Sequence, residues 1–395
     1  MSRRKIDMAI VGGGLAGGLT ALSVHRANPD LSIAVFEAGD CFGGNHRWSW
    51  FKSDVADAAR GLLVGFELTD WKSGYEVRFP AHSRKLSSPY RSMASRDFDA
   101  LLRRELPQDA IRLGARVAGM RDDGIVLENG DGLDAGIVVD CRDFQPTPHL
   151  RGGWQVFMGR HLRMSSPHGV TRPIVMDANL AQHGAYRFVY TLPLSETELF
   201  VEDTYYADSP TLDRDALSQR IDSYCEQQGW RGETLGSETG VLPVVTGGDF
   251  RAYRHSLGMS GVVRAGARGG FTHPLTSYTL PFAAANAAFI AQHATLPGRE
   301  LAELFEARAQ DHWKSTAFYR RLGRMLFDAA EPEQRFRIFE RFYRLPEPLI
   351  ERFYAGQSRS LEKARILIGK PPVPVDAAIR ALLGKSAPLS HGNSQ

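Results

Sequence analysis

The chain has few means of covalent or metal cross-linking. Three cysteines, Cys41, Cys141 and Cys225, are scattered through 395 residues with no C-x-x-C pair. An odd, dispersed set argues against a disulfide framework and against zinc, and suits reduced thiols in a cytosolic protein. No metal site is expected, and neither a P-loop nor a Ser-His-Asp order is present. Long apolar runs are also missing. The most hydrophobic helix candidate, Pro281 to Ala294, is short and carries Asn286, Gln292 and His293, too little for a membrane span. A net charge of +3 is too small to call for a nucleic-acid partner. The first strand pattern begins near Ile6 and leaves no room for a signal peptide, so a cytoplasmic protein, soluble or peripheral to the membrane, is expected. There is no internal repeat. A content of 43% hydrophobic residues is enough to bury a large core in two or three lobes.

What is present starts at once. Ile6, Ala9, Ile10 and Val11 make a short apolar strand, and Gly12-Gly13-Gly14-Leu15-Ala16-Gly17 completes a G-x-G-x-x-G turn. A helical pattern runs to about Arg26, and a second apolar strand, Ser32 to Phe36, ends on Glu37, twenty residues after Gly17. Strand, glycines, helix, strand and terminal acid in this order mark a dinucleotide site. Gly12 permits the turn, Gly14 lets backbone approach a diphosphate, and Gly17 lets helix and strand pack closely. The helix N-terminus favours the anion, and Glu37 is placed to accept from a ribose.

Farther on, the segment from Cys41 to Phe51 reads as a loop, glycine-rich and then aromatic. Ser95 is a candidate N-cap for a helix with Phe98, Leu101, Leu102 and Leu106 on one face. Turns at Asp122-Asp123-Gly124 and Asn129-Gly130-Asp131-Gly132 predict an antiparallel meander whose last strand returns to the main sheet. Such an excursion is common in flavoprotein folds, an analogy that favours FAD. Residues 151–260 change character, with strand-like runs at 186–192 and 199–201 and a helix around 211–228; they predict a substrate lobe on a mixed sheet. Residues 261–298 return to the nucleotide lobe, which otherwise occupies 1–150, through a strand, a second glycine turn and a helix from about Tyr278. Residues 299–385 are helical, broken by Pro346, Pro348 and Pro371-Pro372-Val373-Pro374, and carry 17 Lys and Arg against 12 Asp and Glu. Two readings stand for this region: a helical subdomain with its aromatics in the core, or a basic, aromatic-studded surface resting on anionic lipid. The polar tail 386–395 is expected to be disordered.

Outside the glycine turns, Glu202 and Asp203 end an apolar run, Leu199-Phe200-Val201. Adjacent strand side chains point to opposite faces, so one acid faces a core or cavity and the other faces out or caps a turn. If Phe200 and Glu202 share the inner face, desolvation raises the Glu202 pKa and makes it a proton donor near neutral pH. The competing reading makes both acids strand-end groups paired with arginines. Trp48, Trp50 and Phe51 are candidate walls for a long apolar substrate, able also to stabilise a cation through their π faces. His46 and His273, the latter directly before a proline, suit either ligand contact or structural hydrogen bonding.

The blocks GGGLAG, GGNHRWSWF, PIVMDAN, YRFVYTLPLSETELFVEDTYYAD, VLPV and FTHPLTSYTLP, in this order over residues 6–295, resemble the bacterial lycopene beta-cyclases. The resemblance implies an α/β, Rossmann-type FAD-binding fold of the flavin hydroxylase and geranylgeranyl reductase kind, with a mixed-sheet substrate lobe and a C-terminal helical region. It implies redox-neutral cyclisation of the ends of lycopene and related carotenoids, through gamma-carotene to beta-carotene, with reduced FAD and with NAD(P)H as its reductant. Glu202 is then the catalytic carboxylate, supported by Asp203. Gly12, Gly13, Gly14, Leu15, Ala16, Gly17, Glu37, Gly44, His46, Gly266, Gly269, Gly270 and His273 are the implied cofactor contacts, and Tyr205 joins the three rings above as pocket wall. A water-insoluble substrate also implies peripheral contact with the cytoplasmic membrane. Alternatives are an FAD-dependent monooxygenase or reductase acting on an apolar isoprenoid, and a carotenoid or flavin binder without turnover. The chain departs from the family pattern at Ser277, where glycine is common, at Gly266-Ala267-Arg268, where a Gly-Asp pair is common, and at Cys141-Arg142, where Gly-Arg is commoner.

Overall fold

The computed structural model describes residues 5–258, 261–368, 381, 384 and 386–390. Its first unit is strand Lys5–Val11, helix Leu15–Ala27 and strand Ile33–Phe36. Ala9, Ile10 and Val11 are all buried, as in a parallel strand covered on both faces. Lys5–Val11 pairs in parallel with Ile33–Phe36 on one side and Gly132–Asp140 on the other. The meander forms as expected, with Val117–Arg121 and Gly124–Leu127 running antiparallel into Gly132–Asp140. Val263–Arg264 then returns parallel to that last strand, and helix Leu280–Gln292 packs against Leu15–Ala27.

The helix expected near Ser95 spans Ser95–Glu105 and buries Phe98, Leu101 and Leu102. Ser95 is not its cap. Ala94 holds that position, and the Ser95 hydroxyl accepts instead from the His46 backbone N–H at 3.2 Å. The segment read as a loop up to Phe51 also needs correction: Arg47–Phe51 is a strand, antiparallel to Tyr90–Ala94. Bulky aromatics favour a pleated, half-buried surface, and that outweighed the glycines before them.

The second sheet orders its strands as Gly232–Gly248, Thr147–Met164, Glu198–Ala207, Tyr186–Pro193, Ile174–Asp177, Tyr75–Phe79 and His82–Leu86, with Pro388–Leu389 also on Thr147–Met164. It is mixed, because Ile174–Asp177 pairs with Tyr75–Phe79 in parallel. The boundary at 150 is therefore not clean. Residues 75–86, assigned to the nucleotide lobe, extend the substrate sheet, because a hairpin's own alternation does not say which sheet edge it joins. The tail is corrected as well. Ser386 donates to Asp328 at 2.6 Å and accepts from Thr246 at 2.8 Å, and Pro388–Leu389 pairs as a strand. Residues 391–395 and the Pro371-Pro372-Val373-Pro374 break lie outside the described residues.

Helix Arg214–Gln227, capped by Asp213 accepting from the Ala216 N–H at 3.0 Å, covers one face of this sheet. The C-terminal helices, including Ala317–Asp328, Phe336–Phe342 and Glu347–Tyr354, pack on the other. Their aromatics are core: Tyr319, Phe327, Phe339, Tyr343, Phe353 and Tyr354 are buried. Arg335 is buried with them, donating to the Leu326, Phe327 and Tyr206 carbonyls and to Asp208. That arginine is structural and does not belong to a lipid-facing surface. Among the described residues no helix is long and apolar enough to cross a membrane.

Candidate active site

The first glycine turn distributes its roles as the spacing requires. Gly12 sits at φ +96°, where a Cβ would come within 3.1 Å of the Cys141 and Arg142 backbone. A Cβ on Gly17 would lie 1.8 Å from the Gly12 carbonyl oxygen, so helix and strand meet only as glycine. A Cβ on Gly14 meets nothing within 4 Å, and Gly14, Leu15 and Ala16 line a cavity that runs on to the second sheet. Glu37 braces the turn: the Gly13 and Gly39 N–H groups donate to its two oxygens at 2.6 and 2.7 Å.

Beside this turn Gly266, at φ +64°, packs close to Ala16, and Ala267, Gly43 and His46 line the same cavity. The remaining glycine candidates do not line it. Gly269 packs on the Arg264 carbonyl, Gly270 on Phe250, and Gly44 lies exposed. His273 is fully buried elsewhere. Its Nδ1 accepts from the Thr276 N–H at 3.2 Å, its Nε2 donates to the Phe353 carbonyl at 3.1 Å, and burial pushes its pKa down to about 3. It braces the turn and does not line the cavity. Ser277 keeps the glycine-type conformation at φ +57°, and its hydroxyl donates to the Pro243 carbonyl at 2.9 Å.

The cavity floor is the second sheet, and its residues obey the strand period of two. Gln155 and Phe157, Phe188 and Tyr190, Glu202 and Tyr206, and Glu238 and Leu242 come from four adjacent strands and all line it. Glu202 therefore does share the inner face. The Thr204 hydroxyl donates to it at 2.6 Å. Burial raises its pKa to about 7, and the nearby Asp203 charge adds to the rise. Asp203 points through the sheet to the other side. There Arg187 Nε donates to it at 2.7 Å, the Tyr205 hydroxyl donates at 3.0 Å, and Arg220 donates to that hydroxyl at 2.8 Å. Glu202 faces inward as in the first reading, and Asp203 pairs with an arginine as in the second, though both stand mid-strand and not at its end.

Three of the assigned walls do not reach the cavity. Trp50 and Phe51 are fully buried in core, Phe51 against Tyr75, Tyr90 and Tyr354, and Tyr205 lies with Asp203; none lines the cavity. Trp48 does line it. The residues that replace the lost walls are Tyr90, Tyr190, Tyr206, Tyr278 and Tyr354. Tyr190 donates to Tyr90 at 2.9 Å, and Tyr90 and Tyr278 are joined at 2.9 Å, so their polar ends are occupied with one another. Glu238 and Arg47 also line the cavity and were missed. The only signal was the alternation of Glu238, Gly240 and Leu242, in a segment whose glycines, serine and threonines hide a strand.

The residues fit a flavin dinucleotide. The side of Gly14 is open, the helix N-terminus behind it faces the same space, and Gln155 Oε1 and Thr276 Oγ1, two buried polar atoms on the cavity wall, have no hydrogen-bond partner among the described residues.

Solved structures agree on the class. A geranylgeranyl bacteriochlorophyll reductase-like protein from Thermoplasma acidophilum superposes with a TM-score of 0.59 at 14% identity, over 97% of either chain. A p-nitrophenol 4-monooxygenase from Pseudomonas putida gives 0.58 at 14% identity, over 92% of this chain and 97% of its own. The fold is that of the flavin-dependent monooxygenases and reductases. Within it the relationship is narrower: the family model described as Lycopene cyclase protein matches residues 7–380, and the chain belongs to that family. The lycopene beta-cyclases of Pseudescherichia vulneris and Pantoea ananas are 43% and 38% identical to it, each over 95% of this chain and over 97% and 98% of their own.

Proposed function

We propose that the protein cyclises the open ends of lycopene to beta rings, giving gamma-carotene and then beta-carotene, without net oxidation or reduction. The observation that carries this reading is Glu202: a carboxyl near pKa 7, in a cavity walled by aromatic rings and continuous with a dinucleotide cradle. Cyclisation needs a proton added at C2 of the terminal isoprene unit, which leaves a tertiary cation at C1. The C5–C6 double bond attacks it, and loss of the C6 proton completes the ring. Glu202 is protonated enough at neutral pH to supply such a proton and basic enough to take one back. The tyrosine faces and Trp48 stabilise the passing cation, and because the phenol ends of Tyr90, Tyr190 and Tyr278 bond to one another they are kept from trapping it.

Gly12, Gly14, Leu15, Ala16 and Gly266 are the residues proposed to hold FAD, with Glu37 bracing the turn. Bound in its reduced form, the flavin supplies negative charge beside the cation, an effect that is large in a site of low dielectric. NAD(P)H is proposed to reduce the flavin, and its consumption is expected not to track product. A second, apolar cavity among the C-terminal helices, walled by Leu275, Leu322, Ile338 and Phe342, shares Thr276 and Tyr354 with the first, which suits a long polyene. Leu361, Leu367 and Ile368 stand 86%, 51% and 61% exposed at the end of the described helical region. They are the proposed point of peripheral contact with the cytoplasmic membrane, where such a substrate resides.

Anaerobic incubation with reduced FAD and lycopene tests the reaction. A product of unchanged mass with a shifted absorption spectrum supports the cyclase. Gain of oxygen or hydrogen would point to a monooxygenase or reductase, and no product to a binder. Vesicle sedimentation with Leu361→Asp, Leu367→Asp and Ile368→Asp together tests the membrane contact; binding equal to the parent's removes it.

A further inference from the structure

The proton inventory of the proposed reaction is one in and one out, and the cavity holds two carboxyls. Glu202 and Glu238 lie in one row of the sheet, each directly opposite Gly159 on the strand between them. Cross-strand partners share a face, so both carboxyls rise from the same floor. Two strand spacings put their Cα atoms about 10 Å apart. Gly159 contributes no side chain to the gap. The Phe200 ring covers it, 2.3 Å from where a Cβ would stand, and makes the floor between the two acids an aromatic face.

Glu238 is 8% exposed. Burial pushes its pKa up to about 9, the Glu202 charge adds to the rise, and Arg47 opposes it. The groups that act on it are Glu202 from Glu198–Ala207 and Arg47 from Arg47–Phe51, whose backbone also hydrogen-bonds it; Tyr190 and His46 line the same cavity. His161, on the strand between, is engaged by Glu198 at 2.8 Å. Arg47 also donates to Ser92 at 3.2 Å.

We infer that Glu238 is a second catalytic carboxyl, one member of the Glu202–Glu238 pair giving the proton taken up at C2 and the other taking the proton lost from C6. The inference rests on the cyclase reading above. It balances without a further reactant. One O–H bond breaks as the C2–H bond forms, and the C6–H bond breaks as the other O–H forms. The C6–H electron pair becomes the ring double bond. A proton shift between the two carboxyls restores the starting state. The active form of the pair holds one proton, so turnover is greatest between the two apparent pKa values, about 7 and about 9.

The test is turnover of lycopene against pH in the reduced, FAD-loaded wild type, in Glu238→Gln and in Glu238→Asp. The wild type is expected to give a bell with limbs near 7 and 9. Glu238→Gln should lose roughly 10²–10⁴-fold in kcat at the optimum, with FAD content and KM unchanged, and should lose the bell for a single fall above about 7. Glu238→Asp, which keeps the carboxyl, should recover at least about tenfold of that loss. A Glu238→Gln enzyme within about threefold of wild type with the bell intact overturns the assignment, as does an equal loss in both variants. If the wild type makes no isomeric product, the cyclase reading itself has failed.

Discussion

Glu202 and Asp203 are chain neighbours with opposite environments. Glu202 faces a cavity, accepts one hydroxyl and holds its proton to about pH 7. Asp203 faces helix Arg214–Gln227, is wholly inaccessible, and is bound by Arg187 and Tyr205. Both are acids in the middle of one strand, so composition does not separate them. The pleat does. One face of the strand is left lightly compensated and titrates where chemistry needs it; the other is fully paired and serves the scaffold.

This contrast can be broken most directly at Glu202. Glu202→Gln keeps shape but removes the transferable proton, and turnover should fall roughly 10²–10⁴-fold with FAD content and melting temperature near normal. Run in heavy water, the wild type should place one deuterium at C2 of each ring formed; product without it removes the protonation scheme. Asp203→Ala should give the reverse pattern. It strands the Arg187 guanidinium in a buried site, at a cost of about 3–5 kcal/mol, while folded molecules retain turnover within a few-fold. Denaturant unfolding and active-site-normalised rates read the two effects separately. A dead but stable Asp203→Ala enzyme would mean the roles are exchanged.

The glycines sharpen the same distinction between ligand space and scaffold. Gly14→Val points into open space and strains no backbone, so the protein should fold normally yet purify without flavin. A normal flavin complement would place the cofactor elsewhere. The smallest effect is expected at Ser277→Gly. Relief of the left-handed backbone, about 1–2 kcal/mol, is offset by loss of the hydrogen bond to Pro243, about 1 kcal/mol. Stability should move by no more than about 1 kcal/mol, as read by thermal unfolding, and flavin content should not move.

The dinucleotide unit was legible because it is local. Strand, turn and helix follow within residues 5–37, and the constraints on Gly12 and Gly17 come from that unit and from Cys141 and Arg142 just past the strand beside it. The inward turn of Glu202 was legible as one of two cases, because alternation with Phe200 fixes which residues share a face but not which face meets the cavity. His273 was misleading for a related reason. Its place before a proline says the backbone is extended, whereas its ring nitrogens were claimed by Thr276 and by Phe353, on the distant helix Glu347–Tyr354.

By itself, then, the sequence determined the nucleotide turn with its strands and helix, the family blocks, and a carboxyl pair split across a strand. Those depend on spacings of a few residues. Only the tertiary structure decided that Trp50, Phe51 and Tyr205 turn away from the cavity, that residues 75–86 and 388–389 join the substrate sheet, and that Glu238 stands in one row with Glu202. The last two residues are 36 positions apart in the chain. Sheet register brings them opposite the same glycine, and register is set by the burial of whole strand faces, which no short window of sequence contains.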